Sequence, residues 1–327
     1  MHSYNSASMR RTAKCLSAML LALLMLCTGA FAQIAFDLSA ENIRSDTEFL
    51  CNEIGIRVTG TPEEILTADW IESRLSSMGY TAGNGNYSRT AFKGMKEMTS
   101  ENLEVVINPD PSLPLAMIVA HYDTVSTSPG ARDNSASVAI VLEMARYFSD
   151  KGAISGCEMR LVFLGSEENG YHGARFCANS LSESDRLRHI GTFNMDISAA
   201  SPSDNARLVA NMLGGKNAEG VCVDADYLPA MENTVTRYVS RAYEELYGGE
   251  PLPVFYFGES DHLPFHEAGF EAANICWRHV EDGRPVLPSS YHTMEDTPES
   301  MDWNTAVITG RCVLRAIEMA VSDITLQ

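Results

Sequence analysis

Apolar residues in this chain form short unbroken runs, and these alternate with stretches in which apolar residues return every three or four positions. A short run bounded by turn residues reads as a buried strand, and the longer periodic stretch as an amphipathic helix. Strands are predicted at residues 103–107, 115–120, 160–164, 190–195, 253–257 and 272–277. A helix is predicted over 62–78, where Thr61 and Glu64 make a capping box, Pro62 takes the first helical position and Gly79 ends the run. Others are predicted over 135–148, 231–247 and 305–321, the last with Val307, Gly310, Val313, Leu314, Ile317 and Val321 on one face. Alternation of this kind predicts an α/β fold, a three-layer αβα sandwich around a mixed, mostly parallel sheet. Residues 206–249 fit the pattern least and read as an insertion.

The N-terminus follows different rules. Arg10, Arg11 and Lys14 precede the apolar run from Leu16 to Leu26, and Ala30-Phe31-Ala32 offers a small-x-small cleavage site, so residues 1–32 are expected to be a secretory signal peptide. The run is shorter than the ~20 residues of a bilayer-spanning helix, and no integral membrane segment is expected once the signal is removed. A lipoprotein reading at Cys27 meets Leu26 where a small residue belongs, and a twin-arginine reading meets Thr12-Ala13-Lys14, a loose match. No repeat or long linker divides the remainder, so residues 33–327 are expected to form one domain. The product is expected to be exported, periplasmic or extracellular.

Charge narrows the partners. The formal net charge is -19, and losing the basic leader makes the rest more acidic. Nucleic acid is excluded as an expected partner, because it needs a basic footprint. Of eight cysteines, Cys15 and Cys27 leave with the signal. No CxxC pair exists among Cys51, Cys157, Cys177, Cys222, Cys276 and Cys312, so thiolate metal binding is not indicated. An oxidising compartment permits disulfides among them, with pairing left open.

Candidate chemistry lies where predicted strands end. His121, Glu167, Glu168 and Asp196 each follow an apolar run, and in open α/β sheets that edge is where ligands bind. Carboxylates and imidazoles delivered there suit a metal with hard oxygen and borderline nitrogen ligands. In His121-Tyr122-Asp123, the histidine supplies a ring nitrogen and Asp123 is expected to accept the other ring N–H. Asp133 stands in a loop before a helix; it reads as an N-cap or as a carboxylate bridging two metals. The adjacent Glu167 and Glu168 follow a run that belongs inside a sheet, so one binds metal while the other is free for proton transfer. Asp196 and His292 complete the set. Each residue taken singly has a plainer structural reading; their joint placement carries the argument.

The motifs His121-Tyr122-Asp123-Thr124, Gly130-Ala131-Arg132-Asp133-Asn134, Glu167-Glu168-Asn169-Gly170, Asn194-Met195-Asp196, Ser260-Asp261-His262 and Tyr291-His292-Thr293-Met294-Glu295-Asp296-Thr297 occur in one order, with Arg57 and Gly60-Thr61-Pro62 ahead of them. The whole resembles the secreted co-catalytic zinc aminopeptidases related to bacterial leucyl aminopeptidase, the clan MH metallopeptidases. The resemblance implies a phosphorylase/hydrolase-like zinc exopeptidase fold with two zinc ions per chain. One ion takes His121 and Asp196, the other Glu168 and His292; Asp133 bridges them and Glu167 is the general base. The implied substrates are peptides with a free N-terminus. Tyr256 is a further candidate, as donor to a developing oxyanion, and Ser260, Asp261 and His262 are candidates for supporting roles. Residues 206–249 become a candidate for shaping substrate access. Departures from the family are Thr124, Ser137 and Glu259, where serine, glycine and glycine are common.

The nearest rival is a glutaminyl cyclase on the same scaffold with one zinc. Such enzymes typically carry Asp where this chain has Ser260 and Trp where it has Tyr291, and both differences favour the peptidase. A carboxypeptidase would need a basic cluster for a C-terminal carboxylate, and none is evident. A non-catalytic binding module would be favoured by a missing ligand or base, and none is missing.

Overall fold

A computed structural model describes residues 36–94, 98–202, 206–209, 212–213, 233–253, 255–256, 260–282 and 284–326. The expected signal peptide lies outside these residues. Residues 37–327 form one compact unit. Its centre is β3 (Leu115–His121), in which every residue is buried. A strand covered on both faces must be apolar throughout, as this one is. It pairs in parallel with β4 (Glu158–Leu164) on one side and β5 (His189–Met195) on the other, and β5 pairs in parallel with β9 (Ala272–Glu281).

Beyond these four strands the pairing turns antiparallel. β2 (Thr99–Ile107) lies against β4 and β1 (Tyr87–Lys93) against β2, while β6 (Arg207–Val209) and β10 (Arg284–Val286) both join β9. The sheet order is β1-β2-β4-β3-β5-β9-β10, with β6 beside β9. The mixed sheet is as expected, with its parallel part confined to the middle. β1 escaped the sequence reading because an edge strand with alternating polar residues lacks an apolar run. A small parallel pair, β7 (Met212–Leu213) with β8 (Phe255–Tyr256), stands apart.

Helices cover both faces. Leu115, Met117 and Val119 point alternately with their neighbours and pack with residues of α4 (His172–Ser180) and α7 (His262–Glu267) in one cluster with Val162, Leu164 and Phe265. Across the sheet lie α1 (Ala40–Glu48), α3 (Ala136–Lys151), α6 (Thr234–Tyr247) and α8 (Trp303–Thr325). α3 and α8 approach closely enough that a Cβ on Gly310 would meet Leu38 Cδ1 at 2.5 Å and Ile140 Cγ2 at 3.1 Å. The short α5 (Glu183–Arg188) leads into β5. Cys51, Cys157, Cys177, Cys276 and Cys312 are buried and free; Cys222 lies outside the described residues. No helix among the described residues is long and apolar enough to cross a membrane.

The predicted capping box closes only halfway. Helix α2 (Pro62–Ser77) begins with Glu64 N–H donating to Thr61 Oγ1, but the Glu64 carboxyl does not return to the Thr61 N–H. Its Oε2 accepts from Gly60 N–H at 2.5 Å and its Oε1 from Ser100 Oγ at 2.5 Å, so the side chain is drawn inward and buried. Burial pushes its pKa from the usual 4.5 up to about 7. An acid raised in the folded state stabilises the fold when protonated: the contribution is complete below about pH 4.5 and is lost as pH rises through about 7. Glu64→Gln is expected to remove that dependence. The natural chain should lose up to about 3 kcal/mol more stability than the variant between pH 5 and pH 8, read from urea midpoints at each pH. Equal losses in both chains would contradict the assignment.

Candidate metal centre

Because β3, β4 and β5 run parallel, their C-terminal ends share one edge. His121 is the last residue of β3 and faces Leu164, the last of β4, whose carbonyl accepts from Tyr122 N–H at 2.9 Å. After β4 the chain turns sharply: Gly170 and Tyr171 N–H both donate to Glu167 O, holding Glu167 and Glu168 at the rim. Asp196 follows β5 directly, with its N–H on Asn274 Oδ1 of β9 at 3.1 Å.

Asp133 arrives from a loop tied at several points. Asp296 accepts from Arg132 N–H and Asp133 N–H at 2.9 and 3.1 Å, one on each carboxylate oxygen. Asn134 donates to Met195 O at 2.8 Å and accepts from Ile197 N–H, fastening the loop to the end of β5. Gly130 is required here. It has φ 66°, and a Cβ would lie 2.6 Å from Thr124 Cγ2 and collide with the Asp133 carbonyl. Helix α3 starts after this loop, so Asp133 does not cap it.

The two oxygens of Asp133 divide between two histidines. Oδ1 is 3.3 Å from His121 Nε2 and Oδ2 is 3.2 Å from His292 Nε2. Asp196 Oδ1 lies 3.8 Å from His121 Nε2, and Glu168 Oε2 lies 3.4 Å from His292 Nε2. These pairs are close but not aligned as hydrogen bonds: His121 Nε2, His292 Nε2, Asp196 Oδ1 and Glu168 Oε1 are all buried without a hydrogen-bond partner among the described residues. Atoms that aim at a common point rather than at each other behave in this way. Two ligands at ~2.0–2.1 Å from a tetrahedral zinc are themselves about 3.3 Å apart, so the residues present fit a metal ion. Single atoms of His121, Asp133 and Glu168 lie within 4.8 Å of one another, as do those of His121, Glu167 and Asp196. His292 falls outside both groupings, yet its contacts with Asp133 and Glu168 keep it in the cluster.

His121 Nδ1 sits 3.2 Å from the Asp123 carbonyl oxygen and 3.6 Å from its carboxylate. A carbonyl only accepts, so the proton belongs on Nδ1, which leaves Nε2 a lone pair for metal. The carboxylate expected to take that proton is occupied elsewhere. It accepts Glu167 N–H on Oδ1 at 3.0 Å, and Glu168 N–H at 3.2 Å and Thr59 Oγ1 at 2.9 Å on Oδ2. Asp123 therefore orients the glutamate pair with its side chain and the histidine with its backbone.

Burial acts on Asp133, Glu167 and Glu168, and their neighbours separate them. His121 and His292 outweigh burial at Asp133 and hold it below the usual carboxylate range. Glu168 is pushed up to about 7 by burial and then by Asp133. Glu167 has no ion-pair contact among the described residues, and burial, Asp261, Glu168 and Asp196 hold it well above that range against the pull of His121.

Ser260 donates to Asp196 Oδ2 at 2.7 Å and receives Asn194 Nδ2 at 2.7 Å, so only Oδ1 of Asp196 stays open. Asp261 is buried, with neither carboxylate oxygen hydrogen-bonded among the described residues, and His262 is buried beside it. Tyr291 stacks on His292 with ring centroids 3.7 Å apart. The side chain of Tyr256 lies outside the described residues. Sequence reasoning assigned no role to Asp296, Asn134, Asn194 or Asn274. The four-residue step from His292 to Asp296 within one motif was the available signal for the first.

The sequence profile of Peptidase family M28 matches residues 102–317. Aminopeptidase YwaD of Bacillus subtilis is 31% identical over 299 residues, covering 90% of this chain and 58% of that protein. Leupeptin-inactivating enzyme 1 of Streptomyces exfoliatus is 25% identical over 68% of this chain and 45% of its own length. The chain thus spans roughly half the length of these curated relatives. Among solved structures, a zinc aminopeptidase from Bacillus subtilis superposes with a TM-score of 0.71 at 20% identity, covering 87% of this chain and 95% of that one. A glutaminyl cyclase from Bacteroides thetaiotaomicron gives 0.67 at 16% identity, covering 86% and 98%. Both likenesses are of fold.

Asp123→Asn replaces one of the two accepting oxygens with an amide donor, so either the Glu167 or the Glu168 N–H loses its acceptor. Metal affinity is expected to fall by about 10-fold to 100-fold, the range for partners that orient ligands. Competition against a chromophoric chelator measures this, and unchanged affinity would contradict the role given to Asp123.

Proposed function

The chain belongs to peptidase family M28, and on that premise we propose that it is an exported dinuclear zinc aminopeptidase, removing the N-terminal residue from peptides. The observation that carries this reading is the division of the Asp133 carboxylate between His121 and His292. On this reading His121 and Asp196 would hold one ion and Glu168 and His292 the other, with Asp133 available to both. Bound zinc supplies a Lewis acid for the scissile carbonyl and a water acidic enough to deprotonate near neutral pH.

The protein's own groups do the rest. Glu167 takes the proton of the attacking water on its carboxylate and delivers it to the leaving amine nitrogen. A carboxyl that burial holds above its usual range serves both directions of transfer. Asp123 fixes the backbone beneath it, so the carboxylate needs no reorientation between the steps. The cluster is rich in carboxylates, and the ammonium group of a substrate N-terminus is the charge it favours. That limits cleavage to the first residue. The hydrogen bond from Ser260 leaves one oxygen of Asp196 open to a metal, and the sharing of Asp133 between two histidines is what supports two ions rather than the single ion of a cyclase. The leader at residues 1–32 supports export, with residues 33–327 as the catalytic domain.

Glu167→Gln is expected to keep its zinc while kcat on aminoacyl-arylamides falls by about 100-fold to 10,000-fold. A variant with near-native turnover would remove Glu167 from the reaction. Absence of chelator-sensitive release across a panel of such substrates would overturn the aminopeptidase reading.

A further inference from the structure

Arg57 is fully buried, and no carboxylate among the described residues lies within salt-bridge distance of it. Its guanidinium donates to neutral acceptors only. Nε reaches Tyr122 O at 2.8 Å; Nη1 reaches Gly55 O at 2.8 Å, Pro129 O at 2.9 Å and Leu50 O at 3.3 Å; Nη2 reaches Ser135 Oγ at 2.7 Å. The backbone is held as well: Arg57 N–H donates to Thr124 Oγ1 at 2.9 Å and Thr124 N–H to Arg57 O at 3.2 Å.

These acceptors come from three separate segments. Leu50 and Gly55 belong to the π-helical turn Phe49–Ile54 and its end. Tyr122 and Thr124 flank Asp123 directly after His121. Pro129 and Ser135 bracket the loop that carries Asp133, and Ser135 Oγ donates in turn to Gly130 O at 2.6 Å. One planar side chain thus touches the segment of His121 and the segment of Asp133 together.

Burying a cation without an adjacent anion is costly, and backbone carbonyls alone do not demand one. What offsets it is charge at longer range, from Asp123, Asp296 and Asp133. The relation is reciprocal: the same guanidinium eases the repulsion among those carboxylates. Its donors are also fixed in a rigid fork, which sets the spacing between the carbonyls of Tyr122 and Pro129, where a lysine ammonium would follow either one.

We propose that Arg57 is the positioning residue of the metal centre, holding the His121 and Asp133 segments at one separation through the carbonyls of Tyr122 and Pro129 and the hydroxyl of Ser135. The inference rests on the zinc reading above. It makes Arg57 a determinant of zinc affinity rather than of folding alone.

The test uses the full chain stripped of metal and titrated with zinc against a chromophoric chelator. Thermal melting and far-ultraviolet circular dichroism of each metal-free variant are recorded alongside. Arg57→Lys keeps the charge and loses the fork, and zinc affinity is expected to fall about 10-fold to 100-fold with the dichroism retained. Ser135→Ala removes the Nη2 acceptor together with the Ser135–Gly130 hydrogen bond, leaves the charge unchanged, and is expected to show a smaller loss in the same direction; it carries the test should Arg57→Lys not fold. Arg188→Lys is the control. Arg188 pairs with Glu158 and Asp185 at the opposite edge of the sheet, so its melting temperature should fall with zinc affinity unchanged. Native affinity in Ser135→Ala and in any folded Arg57→Lys would overturn the proposal, as would an equal loss in Arg188→Lys. Failure of the natural chain to bind zinc would instead overturn the metal reading, which keeps the two apart.

Discussion

The crowding of carboxylates at one edge of the sheet is the constraint on which the rest of the structure depends. Asp123, Asp133, Glu167, Asp196, Asp261 and Asp296 are all buried there, with Glu168 at the rim, and among the described residues the nearby guanidinium groups are those of Arg57 and Arg132. Carboxylates taken out of water need partners or protons. On the proposed dinuclear reading, two divalent ions would supply most of the missing positive charge, and the open ligand atoms of His121, His292, Asp196 and Glu168 are where such ions would fit.

Around that core the fold divides the work by distance. Parallel strands bring the ligands to a common edge. The next layer of side chains, Asp123, Asn134, Asn274, Asp296 and Ser260, spends its hydrogen bonds on backbone N–H groups, a carbonyl and one carboxylate oxygen, leaving the ligand atoms free. Arg57 lies a layer further out and touches only what holds the holders. Glu167 differs from its neighbours in having no ion-pair contact among the described residues, and burial holds its carboxyl well above the usual range against the pull of His121.

How much of this was legible in the sequence depended on whether the signal was local. The central strands were legible because a buried parallel strand must be continuously apolar, and His121, Glu167, Glu168 and Asp196 were legible because they interrupt such runs at their ends. β1, α4 and α7 were missed; they are short or half-polar, and their place is decided by what they pack against. Asp123 was recognised as a supporting residue, but its carboxylate was given to His121, two residues away, when the structure gives it to Glu167 and Glu168, more than forty residues on. The contacts of Asp296 with Arg132, of Asn134 with Met195 and of Arg57 with Pro129 span comparable or greater separations. No periodicity or spacing in one chain records such pairs.

The central claim is that two ions share Asp133. Anomalous diffraction at the zinc absorption edge, from crystals of the full chain grown with zinc, tests it most directly. Two peaks about 3.5 to 4 Å apart, one beside His121 and Asp196 and the other beside His292 and Glu168, with Asp133 between them, is the predicted result. A single peak under saturating zinc, or a pair not bridged by Asp133, would contradict it.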